Sequence, residues 1–269
     1  MPVEKDDAGR RGRVPFRGAG FAPGESRIGG AAALIGLVAL WQAASSLFGA
    51  SPLFLPSPVA IVAALWRLIV HGDLLAQIGV SALRILAGWS LGAVAGLAVG
   101  LAMGLFTFAR AAGFAVVSAL FPIPKIALLP LMILWLGIGE PSKIATIALG
   151  VFFPTAISAA SGVDSVPRNL IRMAQGFGLP FADIVRKVVL PGALPTILAG
   201  FRISSSIALL LVVSAEMVGA EKGIGAFVLQ AGNLMQTDQL LAGVLVLSLL
   251  GLAVARGIAA LERRFIGWR

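Results

Sequence analysis

The chain has no cysteine and only one histidine, and these absences exclude several kinds of chemistry. Without cysteine there is no disulfide, thiol nucleophile or iron–sulfur site, and a zinc site would have to form without thiolates. The redox compartment stays undetermined. His71 lies near Asp73, and a single imidazole with one carboxylate does not predict a metal site.

Nucleotide-binding motifs and charged residues are also scarce. The sequence has no Gly-x-x-x-x-Gly-Lys-Ser/Thr loop and no carboxylate cluster suited to magnesium, so we expect no ATP hydrolysis by this chain. Charged residues make up 12% of its 269 residues, whereas 58% are hydrophobic and the mean hydropathy is +0.97. So much apolar surface does not fit inside one water-soluble core, and the composition therefore predicts an integral membrane protein.

The apolar segments are long enough to cross a bilayer as helices, since a hydrocarbon core of roughly 30 Å takes about 20 helical residues. No ten-residue alternating pattern repeats, which argues against membrane-spanning strands. We therefore predict an all-α fold with about six transmembrane helices. These helices fall in the largely uncharged stretches 28–66, 85–109, 111–124, 126–139, 144–163, 188–215 and 239–255.

The net charge of +9 follows the boundaries of these stretches and does not predict a nucleic-acid partner. If the larger basic group is cytoplasmic, the other side keeps only Arg67, Lys143 and Lys222 as basic loop residues. The positive-inside rule then places both termini in the cytoplasm, with 1–27 as a disordered basic tail and 265–269 as the other end. The larger group comprises Lys5, Arg10, Arg11, Arg13, Arg17, Arg27, Arg110, Arg168, Arg172, Arg186, Lys187, Arg263, Arg264 and Arg269.

Prolines and glycines predict details of the spans. Prolines in 51–58 end the first span, and 59–70 then form a short helix at the outer interface. Prolines at 122, 124 and 130 interrupt the third span, which is tolerated where protein or a cavity covers the backbone. Glycines at 88, 92, 96, 100 and 104 lie on nearly one helical face, so another helix is expected to pack there.

A segment at 164–193 is polar enough to lie outside the membrane, on the side predicted to be cytoplasmic. Gly178 suits the left-handed position that ends a helix, and Pro180 suits the first turn of a second one. Asp183 falls early in this second helix, and Pro191 is expected to end it. We interpret the two short helices as a docking element for a motor protein.

The spacing Ala174-x-x-x-Gly178, nine residues, then Val188-x-Leu190-Pro191 resembles the coupling loop of bacterial ATP-binding-cassette (ABC) importer permeases. The strings 122–130 and 190–195 are similar to the nitrate, sulfonate and taurine branch. The resemblance implies a type I importer permease (MetI-like) fold over 28–264. It also implies a set of ATPase-coupling residues, namely Arg172, Ala174, Gly178, Asp183, Val188, Leu190 and Pro191. Arg172 departs from the family pattern, which usually has glutamate there.

The same resemblance implies an importer in the bacterial inner membrane, built on two copies of the chain. Its partners are a dimer of cytoplasmic ABC ATPases and a periplasmic or lipid-anchored solute-binding protein. ATP and magnesium bind to the ATPases, and the chain itself carries no cofactor. The solute implied is a small organic or inorganic anion of the sulfonate, taurine or nitrate type, without a choice among them.

Charges within the spans provide candidate residues for the substrate path. Lys125 either attracts an anion, or extends its ammonium toward water, or pairs with Glu216. Glu216 resembles a glutamate common in the same branch and is the second candidate, for gating or helix packing. Arg84 is expected to be an anchor at the membrane interface.

Two alternatives keep the membrane architecture and change the function. An ion-gradient-driven secondary transporter would use the broken third span, although Asp and Glu are almost absent from the spans. A non-transporting membrane scaffold would use 164–193 as a simple adapter.

Overall fold

The computed structural model describes residues 27–47 and 53–265, and all regular structure in these ranges is helical. The predicted tail and residues 266–269 lie outside the described residues, apart from Arg27, which begins the first helix. A 3₁₀ turn, Lys125–Leu128, precedes α5, and a π-helical turn, Val185–Val189, joins α8 to α9. The α-helices are α1 (Arg27–Leu47), α2 (Pro58–His71), α3 (Leu74–Leu105), α4 (Thr107–Leu120), α5 (Leu129–Leu136), α6 (Glu140–Asp164), α7 (Arg168–Gly176), α8 (Phe181–Ile184), α9 (Leu190–Gly219), α10 (Ile224–Asn233) and α11 (Thr237–Phe265).

Five helical segments within the described ranges are long and apolar enough to cross a membrane. They are α1, α3, α6, the continuous segment Phe181–Gly219 that contains α9, and α11. Helix α4 and the segment Lys125–Leu136 make a sixth span if counted together, although they meet at 87°. The bend follows Pro122 and Pro124, which lack backbone donors. The all-α fold with about six spans is confirmed, and the helical structure bends at the predicted prolines.

Helix α3 packs closely against α6, and glycines make this approach possible. A Cβ atom added to Gly96 would lie 2.5 Å from Phe152 O, and one added to Gly88 would lie 2.6 Å from Ile147 Cβ. The other three glycines of the predicted face also meet α6. The prediction that another helix packs on this face is confirmed. Buried side chains of α3, α6 and α9 form the core beside it, among them Ile85, Val151 and Val212.

Charged residues mark the two ends of this helix pair, which we call the Arg84 end and the Asp164 end. At the Arg84 end, α3 lies beside the first turn of α6, where Arg84 bonds to Glu140. At the Asp164 end, the last residue of α6 bonds to Arg110 in α4. The segment α7–α8 follows directly from the Asp164 end.

The structure contains one helix that the sequence did not predict. The predicted stretches leave residues 216–238 without a helix, yet α10 occupies much of this connection. Ile224 is fully buried there against Leu74 and Val246 from neighbouring helices. A ten-residue helix gives a weak pattern in sequence, and here burial against other elements stabilises it.

The prediction that Pro191 ends the second short helix is wrong. Helix α8 continues through the π turn into α9, so that Phe181–Gly219 is one continuous helical segment, which also carries Pro195 in its interior. In the π turn, Leu190 N donates to Val185 O, five residues back. Because proline cannot donate and its ring crowds the carbonyl four residues before it, this widened turn accommodates Pro191 where a regular helix would break.

Candidate functional site

The end of α7 is fixed by Gly178, which adopts a φ of +72°. Gly178 N donates to Gln175 O at 2.9 Å, and Leu179 N donates to Ala174 O at 3.2 Å. These two bonds form a Schellman motif, in which glycine takes the left-handed conformation after the helix. The prediction that Gly178 ends a helix is confirmed. The motif also explains the spacing Ala174-x-x-x-Gly178, since both residues belong to the same hydrogen-bonded turn.

The coupling segment, defined as 164–193, packs on the Asp164 end through its apolar residues. Ala174 is 5% exposed and shares a cluster with Ile184 and Val189. Val188 packs on the same cluster, and Leu190 and Pro191 are half-buried. Helix α7 is therefore held against the start of the continuous helix that contains α9.

The polar side chains of the coupling segment face away from this cluster. Arg172 is exposed, and no described residue accepts a hydrogen bond from its side chain. Asp183 lies in the first turn of α8, where its Oδ2 accepts a bond from Lys187 Nζ at 3.0 Å. The expected placement of Asp183 early in the helix is confirmed.

Four large apolar side chains are exposed on the same polar segment. Their exposed fractions range from 41% to 76%, and Phe177 is the most exposed. Side chains of this kind are expected on a bilayer-facing span but are unusual on a short helix pair rich in arginine. We call this surface the apolar patch; it consists of Leu170, Met173, Phe177 and Phe181.

A second cluster of functional side chains lies at the Arg84 end and is centred on Arg84, which is 4% exposed. Its guanidinium donates to both carboxylate oxygens of Glu140 at 2.7 and 2.5 Å, and to Glu216 Oε1 at 2.8 Å. It also donates to Lys222 O at 2.6 Å. The prediction of an interface anchor is wrong, because Arg84 links α3, α6, α9 and the connection before α10.

Glu216 is the other centre of this cluster and is 1% exposed. Its carboxylate accepts hydrogen bonds from Ser81 Oγ at 2.8 and 3.0 Å, and from Gly225 N at 2.8 Å. Ser81 Oγ in turn accepts a bond from Ile224 N at 2.9 Å. Glu216 is thus fully surrounded, and α10 is tied by its first turn to α3 and α9.

Lys125 lies at the break of the third span, apart from this cluster. Its Nζ lies 4.5 Å from the ring centroid of Phe153 in α6. The ammonium also donates, at 2.7 to 2.9 Å, to three backbone carbonyls at the break, those of Leu120, Phe121 and Ile123. The alternative in which Lys125 pairs with Glu216 is therefore wrong, because each has other partners.

One feature of the sequence indicates the Arg84 cluster. Arg84 stands several residues inside α3, among apolar neighbours, and a charge in that position calls for a partner within the protein. Its partners Glu140 and Glu216 lie far away in the chain, so no local pattern connects them.

These features together define a class: a polytopic all-α membrane protein with a polar helix pair beyond one end of its spans. Comparisons with known proteins narrow that class. Residues 92–267 match the family described as "Binding-protein-dependent transport system inner membrane component". The chain belongs to this family and is thus an inner-membrane permease component of an ABC importer.

Curated relatives cover most of the chain. It is 37% identical to the taurine transport system permease protein TauC of Escherichia coli (strain K12), over 86% of each chain. It is 37% identical to the putative aliphatic sulfonates transport permease protein SsuC of the same organism, over 87% of this chain and 89% of the relative. The SsuC protein of Bacillus subtilis (strain 168) is 35% identical, over 92% and 91%.

A solved structure supports the fold. A chain of the MetNI methionine ABC transporter in an inward-facing conformation superposes with a TM-score of 0.60 at 22% identity. The superposition covers 78% of this chain and 98% of that chain. The predicted type I importer permease fold is confirmed.

Proposed function

We propose that this chain forms the membrane path for a small anion of the sulfonate, taurine or nitrate type, and that a cytoplasmic ABC ATPase dimer drives it through the coupling segment. Two copies of the chain enclose the path, and a solute-binding protein delivers the anion at the Arg84 end. The Asp164 end and both termini face the cytoplasm. The taurine and sulfonate permeases among the relatives support the solute class, and membership of the family supports both kinds of partner.

The apolar patch is the observation that carries the ATPase part of this proposal. Exposed apolar groups grouped on a polar segment mark a surface that another protein covers. Arg172 and Arg186 are exposed on the same segment, so the ATPase surface should combine an apolar recess with acidic residues. Arg172, in place of the family glutamate, would pair with one of those acidic residues.

The packing of the coupling segment supports a route for the motion. Helix α7 is held on the π turn by the buried Ala174, and the same helix then continues through the bundle as α9. A closing ATPase that displaces α7 would therefore move α9 as a rigid element. The full set of residues to which we assign coupling roles is Arg172, Ala174, Gly178, Asp183, Val188, Leu190 and Pro191.

Lys125 and Glu216 receive less support as substrate-path residues. Glu216 is buried, and the ammonium of Lys125 has three carbonyl partners. In this conformation neither presents a free polar group to a solute, and their path roles stay predictions.

Affinity purification tests the ATPase partnership. The full chain, purified from the membranes of its native organism, should co-purify with an ABC ATPase. Phe177→Ala should lower both the recovered ATPase and the ATP hydrolysis of the complex, because the patch loses its most exposed aromatic ring. Phe54→Ala is the matched control, since Phe54 is 82% exposed but lies outside the coupling segment. Equal losses in the two variants, or no ATPase with the wild type, would contradict the proposal.

Membrane-impermeant labelling tests the orientation, and the absence of cysteine makes it simple. Glu221→Cys and Gln175→Cys both place a thiol at an exposed position, one at each end of the bundle. Glu221→Cys should react in intact spheroplasts, and Gln175→Cys only after lysis. The reverse pattern would overturn the assignment of the coupling segment to the cytoplasm. Uptake of labelled taurine or nitrate by the complete importer would then separate the candidate solutes.

A further inference from the structure

Lys143 is a buried cation with few partners. It lies in the first turn of α6, and the residue is 5% exposed. Its Nζ donates to Gly139 O at 3.0 Å, which uses one of three N–H donors. Within the described ranges, no carboxylate oxygen lies close enough to form a salt bridge with it, although Glu140 and Glu216 are both near enough to act on its charge.

Both of those carboxylates already accept hydrogen bonds from other groups. Glu140 directs its two oxygens at Arg84, and Glu216 accepts from Ser81, Arg84 and Gly225. Lys143 lies at the positive end of a helix, and its ammonium has a backbone carbonyl but no carboxylate as a hydrogen-bond partner, although the two carboxylates together balance the charges of Arg84 and Lys143. Buried N–H donors without an acceptor are costly, and Lys143 has two of them.

The space for an anion that accepts from these donors is present. A cavity of about 330 Å³ lies at the Arg84 end, within the size range of small-molecule sites. Glu140 in its wall directs both carboxylate oxygens at Arg84, and Glu221 is exposed at the rim. The lining consists of Arg84, Ile138, Gly139, Glu140, Lys143, Gly219, Glu221 and Lys222.

We propose that this Lys143 cavity binds a small organic oxyanion, a sulfonate or a carboxylate, with the Lys143 ammonium as its main ligand. The two N–H donors that the protein does not use bond to the anion, and Lys222 adds positive charge beside the opening. The walls come from α3, α6 and the connection between α9 and α10, so a bound anion touches three elements of the bundle. The site rests on the proposed function in that its natural occupant is the transported solute, at one stage of its path.

The test uses the full chain in lipid nanodiscs, without ATPase or solute-binding protein. Methanesulfonate is titrated against the wild type, Lys143→Met, Lys143→Arg and Lys187→Met, and thermal unfolding gives the apparent dissociation constant. Lys187→Met is the control, since it removes an exposed ammonium from the coupling segment. Choline replaces methanesulfonate as the cationic probe.

We expect saturable binding of methanesulfonate by the wild type, at least tenfold weaker in Lys143→Met. Binding should change less than threefold in Lys143→Arg and be unaffected in Lys187→Met, and choline should not bind. Lys143→Arg keeps a buried cation, so its result still decides the matter if Lys143→Met fails to fold. No saturable binding by the wild type, or equal binding by folded Lys143→Met, would overturn the site. A loss of tenfold or more in folded Lys143→Arg, or in the control Lys187→Met, would do the same. Recovery of an ATPase with the full chain is a separate measurement, so failure here leaves the proposed function standing.

Discussion

The two ends of the α3–α6 pair each carry an arginine bonded to a carboxylate, but in different surroundings. Arg84 is 4% exposed and is shared between Glu140 and Glu216. The side chains of Arg110 and Asp164 are each 45% exposed and make two bonds at 2.8 Å within reach of water. Water replaces a partner that an exposed pair loses, whereas a buried charge has no substitute.

This difference indicates what each end is suited for. The Arg84 end holds four elements together, and separating α3 from α9 would leave the buried charges of Arg84 and Glu216 without each other. The Asp164 end carries its charges and its apolar patch in the open, where another protein can cover them. One end is therefore organised by contacts within the chain, and the other presents a surface for contacts beyond it.

Among the substitutions that test this difference between the two ends, removal of Arg84 should reduce the stability most. Arg84→Met leaves Glu216 buried without its cation, and we expect a loss of about 3–5 kcal/mol in the free energy of unfolding. The measurement is denaturant unfolding of the full chain in lipid micelles. Arg84→Met combined with Glu216→Gln should be less destabilised than Arg84→Met alone, because the uncompensated charge is gone. Additive losses in the double variant would contradict the charge-pair explanation.

A substitution in the glycine face of α3 should cause the second largest loss of stability. Gly96→Ala would place a Cβ 2.5 Å from Phe152 O, and separating the two helices should cost about 1–3 kcal/mol in the same measurement. Gly79→Ala is the matched control on the same helix, since no atom lies within 4 Å of a Cβ there. A stability of Gly79→Ala below that of Gly96→Ala would refute the close-packing argument.

At the Asp164 end, Gly178 should give a smaller effect. Its φ of +72° disfavours any side chain, so Gly178→Ala should cost about 1–2 kcal/mol even though no atom lies within 4 Å of the added Cβ. Gly176→Ala, inside α7 and equally unobstructed, should be neutral or stabilising. If the two alanine variants have the same free energy of unfolding, the left-handed conformation is not what fixes the end of α7.

The smallest effect is expected for the exposed pair of the coupling segment. Lys187→Met removes the bond to Asp183, and an exposed pair of this spacing contributes about 0.2–0.5 kcal/mol. High salt should reduce the difference between variant and wild type further, because exposed charges are screened. A loss comparable to that of Arg84→Met would remove the contrast between the two ends.

The sequence predicted features that depend on neighbouring residues. The spans follow from hydropathy over about 20 residues, and the close approach of α3 to another helix follows from glycines spaced four apart. The helix end at Gly178 follows from the conformational freedom of one residue. Pro191 misled the prediction, because a π turn absorbed the proline that was expected to end a helix.

The partners of the buried charges were beyond prediction from sequence. Arg84, Lys125 and Glu216 each stood out as charges among apolar residues, yet their environments were assigned wrongly or left open. Glu140 lies 56 positions and Glu216 132 positions from Arg84 in the chain. Lys143 gave no signal at all, since a lysine at the start of a span is expected to lie in a loop.

The sequence by itself thus determined a helical membrane bundle of about six spans with a polar helix pair between spans four and five, because these depend on local composition and on single residues. Tertiary structure alone decided which charges are buried, what they bond to, and that Lys143 faces a cavity with donors to spare. The reason is that the energy of a buried charge depends on the groups that surround it in space, and those groups come from helices far apart in the chain.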